Sequence, residues 1–240
     1  MINDLSRAWN SQYRSPTFLS LGTEPTADLL RFYKALKKEW RELEAKTGEE
    51  RLDATSIRSL DLGCGNGKNS VYLAERGAAA VGVDVSSEAI AMAKQLAAKK
   101  GVNAEFRVAD LALELPFAED SFDLAIDMTT SHCLAPAARA DFVREVARVL
   151  VPGGRMLARL LCMDGDENAK ALTKSNPGPD GSYILPDTGM PEWPLTKKEL
   201  EKLYGELFTV VSLERTWHLS PFGDKRFKRA YWTLYARSKA

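Results

Sequence analysis

Cysteine is scarce in this chain of 240 residues: Cys64, Cys133 and Cys162 make an odd number and none stands in a CxxC pair. That argues against a disulfide framework or a zinc site and fits reduced thiols. Long apolar runs are missing too. No stretch approaches the roughly 18 consecutive apolar residues that span a bilayer, and residues 1–10 carry acidic and polar side chains where a secretory signal has its apolar segment. A soluble cytoplasmic protein is expected. Charge of one sign is not in excess: 33 Lys and Arg balance 33 Asp and Glu, which removes the electrostatic basis for indiscriminate nucleic-acid binding. What is present is ordinary globular composition, 45% hydrophobic and 28% charged, enough apolar material for one domain with a sizeable core.

Residues 1–25 mix Trp9, Tyr13 and Phe18 with polar residues, Pro16 and Pro25, without a lasting period, and read as an arm or lid. From Thr26, a candidate N-cap, the residues Leu29, Phe32, Leu36, Trp40 and Leu43 recur at helical spacing up to Gly48 and predict a helix with one buried stripe. Residues 1–50 are thereby set apart from a main domain over 51–240. There, apolar runs at 57–62, 79–83, 104–108 and 122–127 alternate with amphipathic stretches at 67–76, 86–100 and 137–150, and another strand is expected over 154–162. Strands alternating with helices of this length make βαβ units, hence an α/β fold with a doubly wound, Rossmann-like, mostly parallel sheet and helices on both faces. Residues 163–195, rich in proline and glycine, break the rhythm as a long loop or insertion. Thr196 caps a helix to about residue 207, and 208–219 with 226–237 read as an antiparallel strand pair at one sheet edge.

The densest signal is Leu60-Asp61-Leu62-Gly63-Cys64-Gly65-Asn66-Gly67, a strand entering a glycine-rich turn and then a helix. Such glycines let the backbone approach a ligand at the carboxyl end of a parallel strand. The dinucleotide fingerprint wants a further glycine where Lys68 stands, which counts against an NAD-dependent oxidoreductase. Val81-Gly82-Val83-Asp84 then ends the next strand in a carboxylate placed to accept ribose hydroxyls. Asp110 and Asp127 follow two later strands. Singly, Asp84 would cap a helix as often as bind a ligand, and Asp110 would form a turn. Three successive strands ending in Asp around one glycine turn describe a cleft.

These segments, together with Ala109-Asp110-Leu111, Ser121-Phe122-Asp123-Leu124 and Arg148-Val149-Leu150-Val151-Pro152-Gly153-Gly154, resemble class I S-adenosylmethionine-dependent methyltransferases in five motifs over residues 57–162. The resemblance implies a seven-stranded sheet with one antiparallel strand, S-adenosylmethionine as cofactor and S-adenosylhomocysteine as product. It implies Gly63, Gly65 and Gly67 against the methionine part, with Asp61 near its amino group. It further implies Asp84 on the ribose hydroxyls, Asp110 on the adenine amino group, Leu111 on the adenine ring through its backbone, and Asp127 and Met128 near the methionine portion and the transferred methyl. The segment Thr129-Thr130-Ser131-His132-Cys133-Leu134 is also similar to loops of methyltransferases near the ubiquinone/menaquinone and tellurite-resistance groups.

A sulfonium already carries a good leaving group, so holding the nucleophile in line with the methyl supplies much of the acceleration. His132 is a candidate base for an acceptor hydroxyl or thiol, or else a hydrogen-bonded histidine of the cleft wall. Trp9, Tyr13 and Phe18 either close over the cofactor, where aromatic faces suit a sulfonium, or pack the arm. Tyr183, Trp193 and Phe222 are candidate acceptor-pocket residues or else exposed loop anchors. Cys64 and Cys133 read as small packing residues, His218 as a solvent-edge or packing residue, and Lys225-Arg226-Phe227-Lys228-Arg229 as either an anion site or a solvated strand edge. No metal site is expected. The expected acceptor is a small molecule. A nucleic-acid enzyme is disfavoured by Met128-Thr129-Thr130 where amino-methylating nucleic-acid enzymes carry Pro-Pro-aromatic. Protein methylation, or a regulatory protein that binds the cofactor without turnover, are the other readings.

Overall fold

The computed structural model of the chain describes residues 2–17, 19, 21–47, 57–186, 188–222 and 225–239. In chain order the elements are α1 (Ile2–Arg14), α2 (Ala27–Thr47), β1 (Arg58–Leu62), α3 (Lys68–Ala74), β2 (Ala79–Asp84), α4 (Ser87–Lys100), β3 (Ala104–Val108), β4 (Phe122–Met128), α5 (Pro136–Val149) and β5 (Leu150–Leu161). They continue with α6 (Glu167–Ser175), β6 (Tyr183–Ile184), β7 (Pro191–Glu192), α7 (Lys197–Gly205), β8 (Phe208–Phe222) and β9 (Lys225–Ser238). Seven strands form one sheet in the order β3-β2-β1-β4-β5-β9-β8. β9 runs antiparallel to both β5 and β8, so it is the one reversed strand among parallel ones, as the resemblance implied.

The sheet stands between two helix layers, which is why its central strands are apolar on both faces. Leu60, Leu62, Val83 and Met156 are fully buried beneath Phe142 and Val146 of α5 and Leu200 and Tyr204 of α7. On the other face Leu29, Phe32, Leu36 and Trp40 of α2 share a cluster with Tyr72, Leu124, Ile126 and Leu157. The α2 stripe read from sequence is therefore part of the sheet's own core; the Leu43 side chain and Gly48 lie outside the described residues. Cap chemistry sets the helix starts. Thr26 Oγ1 accepts from Leu29 N at 3.4 Å, Ser86 Oγ accepts from Ala89 N at 3.1 Å, and Thr196 and Glu199 form a reciprocal capping box.

Two expectations are corrected. The N-terminal arm is a helix, α1: Leu5, Trp9 and Tyr13 recur every four residues and lie on one face. Its polar side grips the end of β2, where Ser6 Oγ donates to Val85 O at 3.1 Å and Asn10 Oδ1 accepts from Ser86 Oγ at 2.7 Å. The segment 163–195 is not a structureless loop. It holds α6, capped by Asp166 Oδ1, and the antiparallel β6–β7 pair. It returns beside β5, where Leu195 N donates to Leu161 O at 2.9 Å.

Candidate cofactor and acceptor site

At the end of β1 the chain turns through Gly63, Gly65 and Gly67, all at positive φ, a conformation side chains resist. Gly63 N and Cys64 N donate to Val83 O at 2.8 and 2.9 Å, which ties the turn to β2. Asp84, at the end of β2, accepts from Gly65 N on one oxygen and from Ser86 N on the other, both at 2.9 Å. Burial raises its pKa and these N–H donors oppose the rise. A carboxylate offers about four acceptor positions, so capacity for a ligand hydroxyl remains beside these backbone donors.

Two adjoining cavities open at this edge of the sheet, of about 120 and 180 Å³. The first is bordered by Leu5, Trp9, Asp84, Asp110 and Leu111. The second is bordered by Gly65, Asn66, Lys68, Asn69 and Arg159. Tyr13, Leu19, Gly63, Met128 and Thr129 border both, so Tyr13 stands between them. Neither cavity alone reaches the ~300 Å³ at which ligand pockets begin. Burial, and then Asp84, hold the Tyr13 phenol far above its ordinary pKa. Thr129 adopts φ +69°, an outlier for a β-branched residue and the kind of local strain that clusters at ligand sites.

The structure thus brings Trp9, Tyr13, Gly63, Gly65, Asp84, Asp110, Leu111 and Met128 to the cavities. Four other expected site residues lie elsewhere. Asp61 is 2% exposed and sits beneath the turn, accepting from Ser70 Oγ at 2.7 Å; burial pushes its pKa up to about 7. Gly67 serves packing, since a Cβ there would meet Ala93 Cβ at 2.7 Å. Asp127 is fully buried and caps the chain after β4, accepting from Thr130 N at 2.9 Å. His132 is 4% exposed and borders neither cavity. Its Nε2 stands 3.6 Å from Glu192 Oε1, so the placement does not support a base acting on an acceptor in these cavities. Cys133 reaches the first cavity instead.

The insertion residues differ from expectation as well. Tyr183 is fully buried; its hydroxyl donates to Glu192 Oε2 at 2.6 Å, and Arg229 Nη2 donates to the same carboxylate oxygen at 2.9 Å. Arg229, 4% exposed, is therefore no solvated edge. Trp193 borders a separate groove between α5 and α7. Phe18 and the Phe222 side chain lie outside the described residues.

Lys68 and Arg159 also border the second cavity and are not among the site residues expected from sequence. Lys68 opens α3 directly after the glycine turn, so its side chain starts beside whatever the turn holds. Burial, and then Arg159, lower its pKa. Arg159 interrupts the apolar run Leu157-Ala158-Arg159-Leu160-Leu161, and that interruption was the available signal. Its guanidinium lies 3.5 Å from Asp28 and 4.1 Å from the centre of the Tyr231 ring.

A family profile described as a methyltransferase domain matches residues 60–154, the stretch from the glycine turn to β5. That segment is similar to methyltransferase domains. Its curated relatives include the 2-heptyl-1-hydroxyquinolin-4(1H)-one methyltransferase of Mycobacteroides abscessus, 30% identical over 152 residues, 63% of this chain and 58% of that protein. They also include a ubiquinone biosynthesis O-methyltransferase of Agrobacterium fabrum, 38% identical over 103 residues, 42% of this chain and 40% of that protein. The chain therefore spans about half the length of the curated relatives it matches. Among solved structures, an SAM-dependent methyltransferase from Methanosarcina mazei superposes with TM-score 0.68 at 27% identity, covering 77% of this chain and 93% of that one. No helix among the described residues is long and apolar enough to cross a membrane.

Proposed function

We propose that this chain transfers the methyl group of S-adenosylmethionine to a small-molecule acceptor. The observation that carries the reading is the meeting of Asp84, Asp110 and the glycine turn around paired cavities at one edge of the sheet. In this reading Asp84 accepts the ribose hydroxyls, while Asp110 and Leu111 take the adenine. The amino-acid half runs along Gly63 and Gly65 toward Lys68 and Arg159, two cations suited to its carboxylate. Trp9 and Tyr13 present aromatic faces to the sulfonium. Asp61 and Asp127 hold the turn and the chain after β4 from beneath, as positioning residues.

When bound, the cofactor supplies a methyl carbon on a leaving group that needs no activation. The chain's work is then geometric. Gly63, Met128 and Thr129, on the wall shared by the two cavities, fix where the methyl lies, and α1 with Leu19 limits the approach of the nucleophile. Both curated relatives are named for small-molecule chemistry, which supports an acceptor of that class over nucleic acid or protein. The test is transfer of an isotopically labelled methyl group to a panel of small hydroxy, thiol and amine compounds, with tRNA, DNA and a protein extract in parallel. Labelling of a small compound that is lost in Asp84→Asn supports the reading. Labelling confined to a macromolecule, or none at all from a chain that binds the cofactor, overturns it.

A further inference from the structure

Glu192, from the insertion, meets His132 and Cys133, from the chain after β4, in a buried cluster that the cofactor reading leaves unused. One ligand atom from each residue, a histidine nitrogen, the thiol sulfur and a carboxylate oxygen, lies within 4.8 Å of the others. We propose that these three side chains form a binding site for a divalent transition metal of the zinc class, with His132 Nε2, Cys133 Sγ and Glu192 Oε1 as ligands.

Four observations support the site. First, the 3.6 Å between His132 Nε2 and Glu192 Oε1 is too long for a hydrogen bond. It is near the ~3.3 Å that separates a nitrogen and an oxygen bound at ~2.0–2.1 Å to one tetrahedral ion. Second, the His132 ring and the Glu192 side chain are both almost wholly enclosed, 4% and 6% exposed, so their polar atoms have little access to solvent. Third, Tyr183 and Arg229 bind the other oxygen of Glu192, and Trp193 N donates to His132 O at 2.8 Å. The contacts to Glu192 are of the kind that orient a ligating carboxylate in metal centres, and the last ties the main chain of His132 to that of the insertion. Fourth, Cys133 borders the first cavity, which provides a route of entry for an ion.

The mixed nitrogen, sulfur and oxygen set selects zinc-class ions over magnesium and calcium. Binding forms a metal–sulfur bond as the Cys133 thiol releases its proton to solvent, with no change of oxidation state. Thiolate and carboxylate then carry two negative charges toward the ion, the carboxylate shared with the Arg229 guanidinium on its other oxygen. Sequence spacing could not show this site, because its third ligand arrives with β7.

The site does not rest on the methyl-transfer reading, and its test is separate. The full chain, stripped with a chelator, is titrated with Co²⁺ and followed by absorption, then competed with Zn²⁺. The expected result is one equivalent of Co²⁺ with a sulfur-to-cobalt charge-transfer band and its displacement by Zn²⁺. Cys133→Ser should abolish the band and Cys162→Ser should keep it, while Glu192→Gln should weaken binding at least tenfold. Circular dichroism of each variant verifies that it is folded. No saturable binding by folded wild-type chain, or a spectrum unchanged in Cys133→Ser, overturns the proposal.

Discussion

The phenol oxygen of Tyr13 lies over Gly65, 2.7 Å from the point a β-carbon on that glycine would occupy. Helix α1 is thereby seated on the turn itself, and Tyr13 divides the space where a cofactor must fit. The division gives a stability prediction. Gly65→Ala introduces a methyl at φ +56°, costing about 1–2 kcal/mol for the backbone alone, plus the collision with the phenol. Tyr13→Ala removes the collision, so the double variant should be more stable than the sum of the singles by about 0.5–3 kcal/mol. Urea unfolding of the four proteins measures this, and strict additivity contradicts the contact.

Asp84 carries two roles, holding Gly65 N and Ser86 N and, as proposed, the ribose. Asp84→Asn keeps the shape and removes the charge. It should weaken S-adenosylhomocysteine binding at least tenfold, about 1.4 kcal/mol, with the circular dichroism spectrum unchanged. Equal affinity in wild type and variant removes the ribose assignment.

The Glu192–Arg229 pair joins the insertion to β9 inside the protein. Losing one partner strands a buried charge, so Glu192→Leu in metal-free protein should cost about 3–5 kcal/mol. Adding Arg229→Met should recover most of that loss. Melting temperatures of the singles and the double decide it; a double variant as unstable as the worse single would show that the two charges do not depend on each other.

Asp61 sets a pH dependence. Burial, with Asp84 and Asp127 adding to it and Ser70 opposing it, raises its pKa from 3.8 to about 7. Across that interval the folded chain keeps a proton that the unfolded chain releases. This contribution to stability is complete below pH 3.8 and is lost as pH rises to about 7. Relative to Asp61→Asn, wild-type stability should therefore fall between pH 4 and 7 and run parallel above. Denaturant melts across that range read the difference, and parallel curves throughout would mean Asp61 ionises normally.

The sheet was legible because its central strands are apolar on both faces and the glycine turn is local in sequence. Gly63, Asp84, Asp110 and Leu111 all lie within a few residues of strand ends, where topology alone brings them together. Asp61 and Asp127 occupy the same strand ends yet face inward, and a strand's alternation does not tell which face a ligand uses. The α1 stripe of Leu5, Trp9 and Tyr13 is three residues among polar neighbours, followed by prolines, too short a pattern to stand out in the sequence. Contacts from β7 and β9, such as Glu192 to His132 and Arg229 to Glu192, join positions remote in sequence, and nothing local in the chain records them.

The most direct test of the central claim is a calorimetric titration of the purified chain with S-adenosylhomocysteine, with NAD as control. The account predicts saturable one-to-one binding of S-adenosylhomocysteine and no heat from NAD. Binding of NAD instead, or no binding of S-adenosylhomocysteine by a chain shown to be folded, would contradict it.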